Sequence, residues 1–195
     1  METPSSRTLQ FSIIIPVYNR PGEVRELLDS LSQQTDSGFE VLVVEDGSND
    51  RCEEVVEAYA EALDVRYLYK ENSGPGPTRN YGAERADGNY YVFFDSDCLI
   101  PPRYVETVRA VLTAEYVDAY GGPERVHDSF TPMQQAVDYA MTSFLTTGGI
   151  RGGRRQLETF KPRSFNMGID AEAFDRVGGF SSLRYGEDID LIDDD

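Results

Sequence analysis

Four short apolar runs, SIIIPV, VLVV, VRYLY and YYVFF, are separated by segments whose apolar residues recur at helical spacing. That alternation restricts the fold more than any other feature of the chain. LQFSIIIPVYN reads as a buried strand followed by a loop, because β-branched residues dominate it and Pro16 and Asn19 close it. Val24, Leu27, Leu28 and Leu31 then mark an amphipathic helix from Glu23 to Gln34. FEVLVVEDGS is a second strand with an acidic carboxyl end, and Asp50 with Glu53 has the spacing of a capping box for a helix burying Cys52, Val55, Val56, Tyr59 and Leu63. VRYLYK is a third strand. GPGPTRNYGAERA is a loop running into a short helix, with Pro77 suited to its first turn. YVFFDSDCLI supplies a fourth strand, and Tyr104, Val105, Val108, Val111 and Leu112 predict a helix from about Pro102 to Glu115 with these on one face. Strands alternating with helices in this way imply βαβ units and an α/β fold, a mainly parallel central sheet flanked by helices.

The second half is less regular. VDAYGG is a candidate short strand; Val137, Ala140, Met141, Phe144 and Leu145 form a helical stripe; GGIRGGRR is loop; and SFNMGI is a further strand. Asp170 is expected to cap a short helix that ends at Gly178 and Gly179. No internal repeat or linker interrupts the 195 residues, so one domain over 1–195 is expected. A net charge of −17 removes the basic footprint of a nucleic-acid partner or an anionic membrane. Neither a signal peptide nor an apolar stretch of about 18 residues is seen, so no transmembrane segment is expected. Cys52 and Cys98 lack a CxxC spacing and read as reduced thiols of a cytoplasmic protein.

Ligands of an open parallel sheet bind beyond the carboxyl ends of its strands. Tyr18 and Asn19, Glu45 and Asp46, and Asp95 and Asp97 all fall there. On an extended strand, residues i and i+2 face one side about 6.5–7 Å apart. Asp95 and Asp97 could then address one ligand, and two carboxylates so close favour a shared divalent cation, magnesium or manganese. The alternative is a solvated turn. Arg79, at a helix start after GPGPT, could meet phosphates with the help of backbone N–H groups, or could simply be solvated. The segment is not a Walker loop, since no G-K-[ST] follows. Glu187 and Asp188 in RYGEDIDL offer a general base, or else an acidic first helical turn. His127 lacks metal-ligand companions. Arg151, Arg154, Arg155, Lys161 and Arg163 form a basic run among glycines, read as a loop that closes over donor phosphates or acceptor, or as a plain solvated loop.

The stretches SIIIPVYNR, VLVVEDGSND, GPGPTRNYG, YVFFDSDCLI, SFNMGI and VGGFSSLRYGEDIDL, in this order from Ser12 to Leu191, resemble glycosyltransferase family 2, inverting and non-processive enzymes with the Rossmann-like GT-A fold. The resemblance implies transfer of a sugar from a nucleotide-diphosphate donor, with a leaning to UDP-sugars, to an acceptor hydroxyl of a glycan or lipid-linked acceptor in polysaccharide assembly. It places Pro16, Tyr18 and Asp46 against the base and ribose, and Arg79 near the base or its phosphates. It makes Asp95 the contact to ribose or donor sugar and Asp97 the ligand of a divalent metal, manganese or magnesium. Asp188 corresponds to the catalytic base, with Glu187 orienting the acceptor. A cytoplasmic protein, peripheral at the inner face of the membrane, and a homodimer are both compatible with it.

Three departures stand out. Glu45 replaces a common first aspartate, which keeps the charge. The absence of tryptophan excludes the Q-x-x-R-W signature of processive synthases. The chain stops at IDLIDDD, where the family commonly continues into acceptor-binding elements, so a truncated domain is expected. Two other readings compete. A haloacid-dehalogenase-type phosphatase also places DxD after an apolar strand, but on its first strand and with threonine or valine where Leu99 stands. A non-catalytic nucleotide-sugar-binding remnant would lack the acceptor region.

Overall fold

The computed structural model describes residues 8–121 and 166–181. Its elements are β1 (Phe11–Val17), α1 (Pro21–Ser32), β2 (Phe39–Asp46), α2 (Glu53–Glu57), β3 (Val65–Lys70), α3 (Pro75–Ala83), β4 (Tyr90–Phe94), α4 (Tyr104–Ala114), β5 (Ala119–Gly121), β6 (Asn166–Asp170) and α5 (Ala171–Arg176). The strands form one six-stranded sheet in the order β3-β2-β1-β4-β6-β5. β1 pairs in parallel with β2 and β4, and β2 with β3. β6 runs antiparallel to both β4 and β5.

The unbroken apolar runs follow from burial on both faces. Ile13, Ile15 and Val17 pack with Val41 and Val43 under α1, α2 and α4. Ile14, Leu42, Val44 and Phe93 pack with Met167, Ile169 and Phe174 under α3 and α5. Helix α3 lies so close to β1 that a Cβ on Gly82 would come within 2.6 Å of Ile14 Cγ2.

The elements expected within the described residues are present, with shifted ends. α1 begins at Pro21, which occupies the first helical turn where its missing N–H costs nothing. α2 has five helical residues only; tighter turns such as Tyr59 N–H to Val56 O carry the chain on to buried Leu63. The capping box at Asp50 does not form. Cys52 holds the N-cap position, its own side chain does not cap, and its N–H donates at 2.8 Å to the carboxylate of Glu45. α3 starts at Pro75, so Pro77 falls in its first turn as expected. Val111 of α4 is exposed rather than on the buried face. Asp170 does cap α5, accepting from Ala173 N at 3.0 Å. The expected stripe at 137–145, the basic run, His127, Glu187 and Asp188 lie outside the described residues.

Candidate functional site

The chain runs from β1 outward through β2 to β3 and then returns to β4 on the other side of β1. The carboxyl ends of β1 and β4 therefore flank the point where strand order reverses, the usual crevice of an open α/β sheet. The sequence-predicted residues of the described part gather along this edge.

After β1, Pro16 is half-buried and Tyr18 is 51% exposed. Asn19 takes a left-handed backbone (φ 55°) that its short polar side chain tolerates. Its Oδ1 accepts from Asn49 N at 2.9 Å and Asp50 N at 3.1 Å, and its own N–H donates to Ser48 Oγ at 2.7 Å. One residue thus ties the end of β1 to the loop after β2.

At the end of β2 the two acidic residues point to different environments. Glu45 does not face the crevice. It is fully buried, and its carboxylate accepts from the Ser48 hydroxyl, Cys52 N at 2.8 Å, Cys52 Sγ at 3.1 Å and Tyr67 Oη at 3.4 Å. Burial, reinforced by that carboxylate, pushes the Cys52 thiol and the Tyr67 phenol well above their ordinary ranges. Asp46 is also buried, but at the crevice side of the loop. Its Oδ1 accepts from Lys70 Nζ at 2.5 Å and Ser73 N at 2.9 Å, and its Oδ2 from Gly74 N at 2.9 Å. Asp46 thereby fixes the turn that launches α3. A carboxylate oxygen can accept twice, so Oδ2 retains a second acceptor position among the described residues.

Arg79 projects from α3 and is 3% exposed, which excludes a solvated helix residue. Its Nη2 donates to Asp95 Oδ1 at 2.7 Å and its guanidinium lies 5.4 Å from the Phe180 ring centre. Asp95 and Asp97 are not on an extended strand. β4 ends at Phe94, and Cys98 N–H donates to Asp95 O at 3.1 Å, closing a turn. The two carboxylates consequently meet different cations, Asp95 that of Arg79 and Asp97 that of Arg20 at 3.2 Å.

Three contributors were absent from the sequence reading. Arg20 precedes the first proline of α1 and is the cation on Asp97. Lys70 ends β3 and holds Asp46. Asn80, next to Arg79, donates from Nδ2 to Phe180 O at 2.8 Å and accepts from Phe180 N at 2.9 Å, binding α3 to the GGF turn. A basic residue beside a strand-end loop is the signal that could have found the first two.

Among the described residues no group of three or more acidic, histidine or cysteine side chains stands ready to cage a metal. The donor set at the turn suits an ion that takes one or two carboxylates and completes its shell with water and phosphate oxygens, as magnesium and manganese do. Asp97, with its side chain 59% exposed, is available for such a bond, so the residues fit the group. A groove of about 530 Å³ lies elsewhere, between Glu26, Asp29, Ser30 and Gln33 of α1 and the segment Leu99–Pro102. It has no basic group and none of the strand-end residues, and so is a poorer match for an anionic ligand.

The profile of glycosyl transferase family 2 matches residues 12–181. An uncharacterized glycosyltransferase of Haemophilus influenzae is 32% identical over 189 residues, covering 93% of this chain and 60% of that protein. Among solved structures, S. aureus TarS 1-349 in complex with UDP-GlcNAc is similar at 26% identity and a TM-score of 0.70, over 92% of this chain and 51% of that one. A mannosyltransferase of Pyrobaculum calidifontis, solved with GDP-Man and Mn2+, shares the fold at 22% identity and a TM-score of 0.66, over 92% of this chain and 50% of that one. The chain therefore spans 60% of the first relative's length and about half of each of these structures. No helix among the described residues is long and apolar enough to cross a membrane.

Proposed function

The chain belongs to glycosyltransferase family 2, and from that premise we propose that it contributes the donor half of a metal-dependent, inverting transfer from a UDP-sugar to an acceptor hydroxyl of a glycan. The observation that carries this reading is the meeting, where strand order reverses, of an Asp95–Asp97 turn with two arginines from different elements. An anionic donor would be held there locally, within a chain whose net charge is −17. Membership of this family sets aside the phosphatase reading.

In this reading Tyr18 and Pro16 supply the surface against which the base lies, and Asp46 accepts from the base through Oδ2. Arg79 serves the donor indirectly as well as by its charge, because it fixes the carboxylate of Asp95 for the ribose or donor-sugar hydroxyls. Asp97 would hold the divalent ion. When bound, that ion neutralises negative charge developing on the departing diphosphate. Asp188, with Glu187 beside it, is proposed as the base that takes the acceptor proton, and attack from the face opposite the leaving group inverts the anomeric centre.

Hydrolysis of nucleotide sugars, screened across donors with and without manganese, tests the reading. Manganese-dependent turnover of a UDP-sugar is expected, lost in Asp97→Asn. Asp188→Ala should abolish transfer while leaving donor binding intact. UDP and manganese binding without any donor turnover would instead favour the binding remnant, and no UDP binding at all would remove the donor site.

A further inference from the structure

Arg20 stands where a helix N-cap is expected, yet it is a poor choice for that position. Ser, Thr, Asp and Asn cap well because their side-chain oxygens accept free N–H groups, whereas a cation meets the positive end of the helix dipole. Arg20 makes no side-chain cap bond to α1. Asn19, a residue type that could cap, sits one position earlier and spends its side chain on the 49–50 loop. The local sequence thus accepts a weaker helix start and in return places a guanidinium beside Asp97.

The other cations of the crevice are differently committed. Lys70 is half-buried and Arg79 buried, with side chains 13% and 4% exposed, and they anchor Asp46 and Asp95. Arg20 and Asp97 are instead 49% and 59% exposed, and a single contact of 3.2 Å joins them. Glu23, on the next turn, lies 3.9 Å from the same nitrogen and offers the guanidinium a second carboxylate. A pair this open is weakly held and exchangeable.

We propose that Arg20 is an internal cation that occupies the Asp97 carboxylate until a divalent metal displaces it, and that the displaced guanidinium then meets the diphosphate of the donor. This rests on the assignment of Asp97 as metal ligand made above. Two consequences follow from the exchange. The nucleotide-free protein binds metal less tightly than its carboxylates alone would. Nucleotide and metal also promote each other's binding, because the diphosphate gives the released arginine a new partner, and such coupling is reciprocal.

The test is manganese binding to the full chain, read from the free Mn2+ signal in electron paramagnetic resonance, with MnCl2 alone and with MnCl2 plus UDP. Arg20→Ala should bind manganese alone about 2- to 5-fold more tightly, the range expected for losing one open ion pair. The factor by which UDP improves manganese affinity should shrink in the same variant. Arg20→Lys, which keeps the charge, should fall between. Arg25→Ala removes an exposed charge further along α1 and should leave both values unchanged, which separates the contact from net charge. Unchanged or weaker manganese binding in Arg20→Ala, an equal effect of Arg25→Ala, or an undiminished UDP effect overturns the proposal. Asp97→Asn distinguishes the two levels. If it abolishes manganese binding while Arg20→Ala changes nothing, the exchange fails and the metal ligand stands. If manganese binding survives Asp97→Asn, the metal assignment falls and takes the exchange with it. Thermal melts of each variant confirm that the fold is kept.

Discussion

Arg79 Nη2 donates to Asp95 Oδ1 at 2.7 Å, from a side chain only 4% exposed to one that is 42% exposed. The cation is inside and its counter-charge is at the rim, so the pair can order the crevice without being closed off from a ligand. The asymmetry also separates the two aspartates of the DSD turn in what each contributes to stability.

Asp95→Ala removes the carboxylate that faces a buried guanidinium and should destabilise the fold by about 1–3 kcal/mol, the scale of a hydrogen bond to a charged group lost in a sheltered place. Among the described residues Asp97 meets Arg20 alone, in an open pair, so Asp97→Ala should stay within about 0.5 kcal/mol. Urea midpoints at one pH compare them directly. Equal midpoints for the two variants would mean that Arg79 does not depend on Asp95.

Gly47 carries the second test. Its φ of +71° is a conformation that side chains rarely adopt, and a Cβ there would lie 2.6 Å from the backbone nitrogen of Asn72. Asn72 in turn donates from Nδ2 to Asp46 O at 2.8 Å, so the intrusion would disturb the loop that holds Asp46. Gly47→Ala should cost about 1–3 kcal/mol and weaken UDP binding. Gly22→Ala serves as the contrast, since a Cβ there meets nothing within 4 Å and alanine favours helix. It should be neutral or stabilising, with UDP binding unchanged.

The strand and helix order was legible because each core element announces itself within a few residues. Val24, Leu27, Leu28 and Leu31 can share a helical face only in α1, and all four are buried. The crevice was legible too, since strand-end polar residues collect at the reversal of strand order. What the sequence did not disclose is direction. β2 is buried along its whole length, so its pattern carries no alternation to tell which way Glu45 points. Glu45 turned inward to organise α2, replacing the cap expected from Asp50. The turn at Asp95–Cys98 was hidden for a similar reason, because an apolar run says where a strand lies but not where its last hydrogen bond falls. Arg20, Lys70 and Asn80 act through partners 77, 24 and 100 positions away, and no local pattern reports such pairings.

The thiols offer a check on the inward Glu45. Cys52 is buried against that carboxylate, and its thiol is pushed well above the usual range by burial first and by Glu45 second. Thiolate is the reactive form, so Cys52 should be inert in the folded protein. Cys98 is half-buried. A disulfide reagent at pH 8 should therefore label one cysteine in the native state and the second only after denaturation. Rapid labelling of both would contradict the packing around Glu45.

At the opposite end of the sheet, Glu40 predicts the shape of the acid transition. Its burial alone would raise the carboxyl pKa. Three donors outweigh that effect, namely the Ser12 hydroxyl at 2.6 Å, Asp87 N–H at 2.5 Å and Arg66 Nη2 at 2.5 Å, and the folded pKa lies below the ordinary 4.5. A carboxylate whose folded pKa is lowered contributes stability that is fully present above about 4.5 and is lost as pH falls through the folded value. Glu40→Gln removes that contribution, so the wild-type chain should be the more stable at pH 6, and its advantage should narrow as pH falls below 4.5. Urea unfolding of both chains between about pH 6 and pH 3 measures the gap. A gap that stays constant or widens toward acid would show that Glu40 is not held as a carboxylate by these donors. Because Glu40 lies at the amino-terminal end of β2, away from the crevice, UDP binding at neutral pH should be the same in both chains.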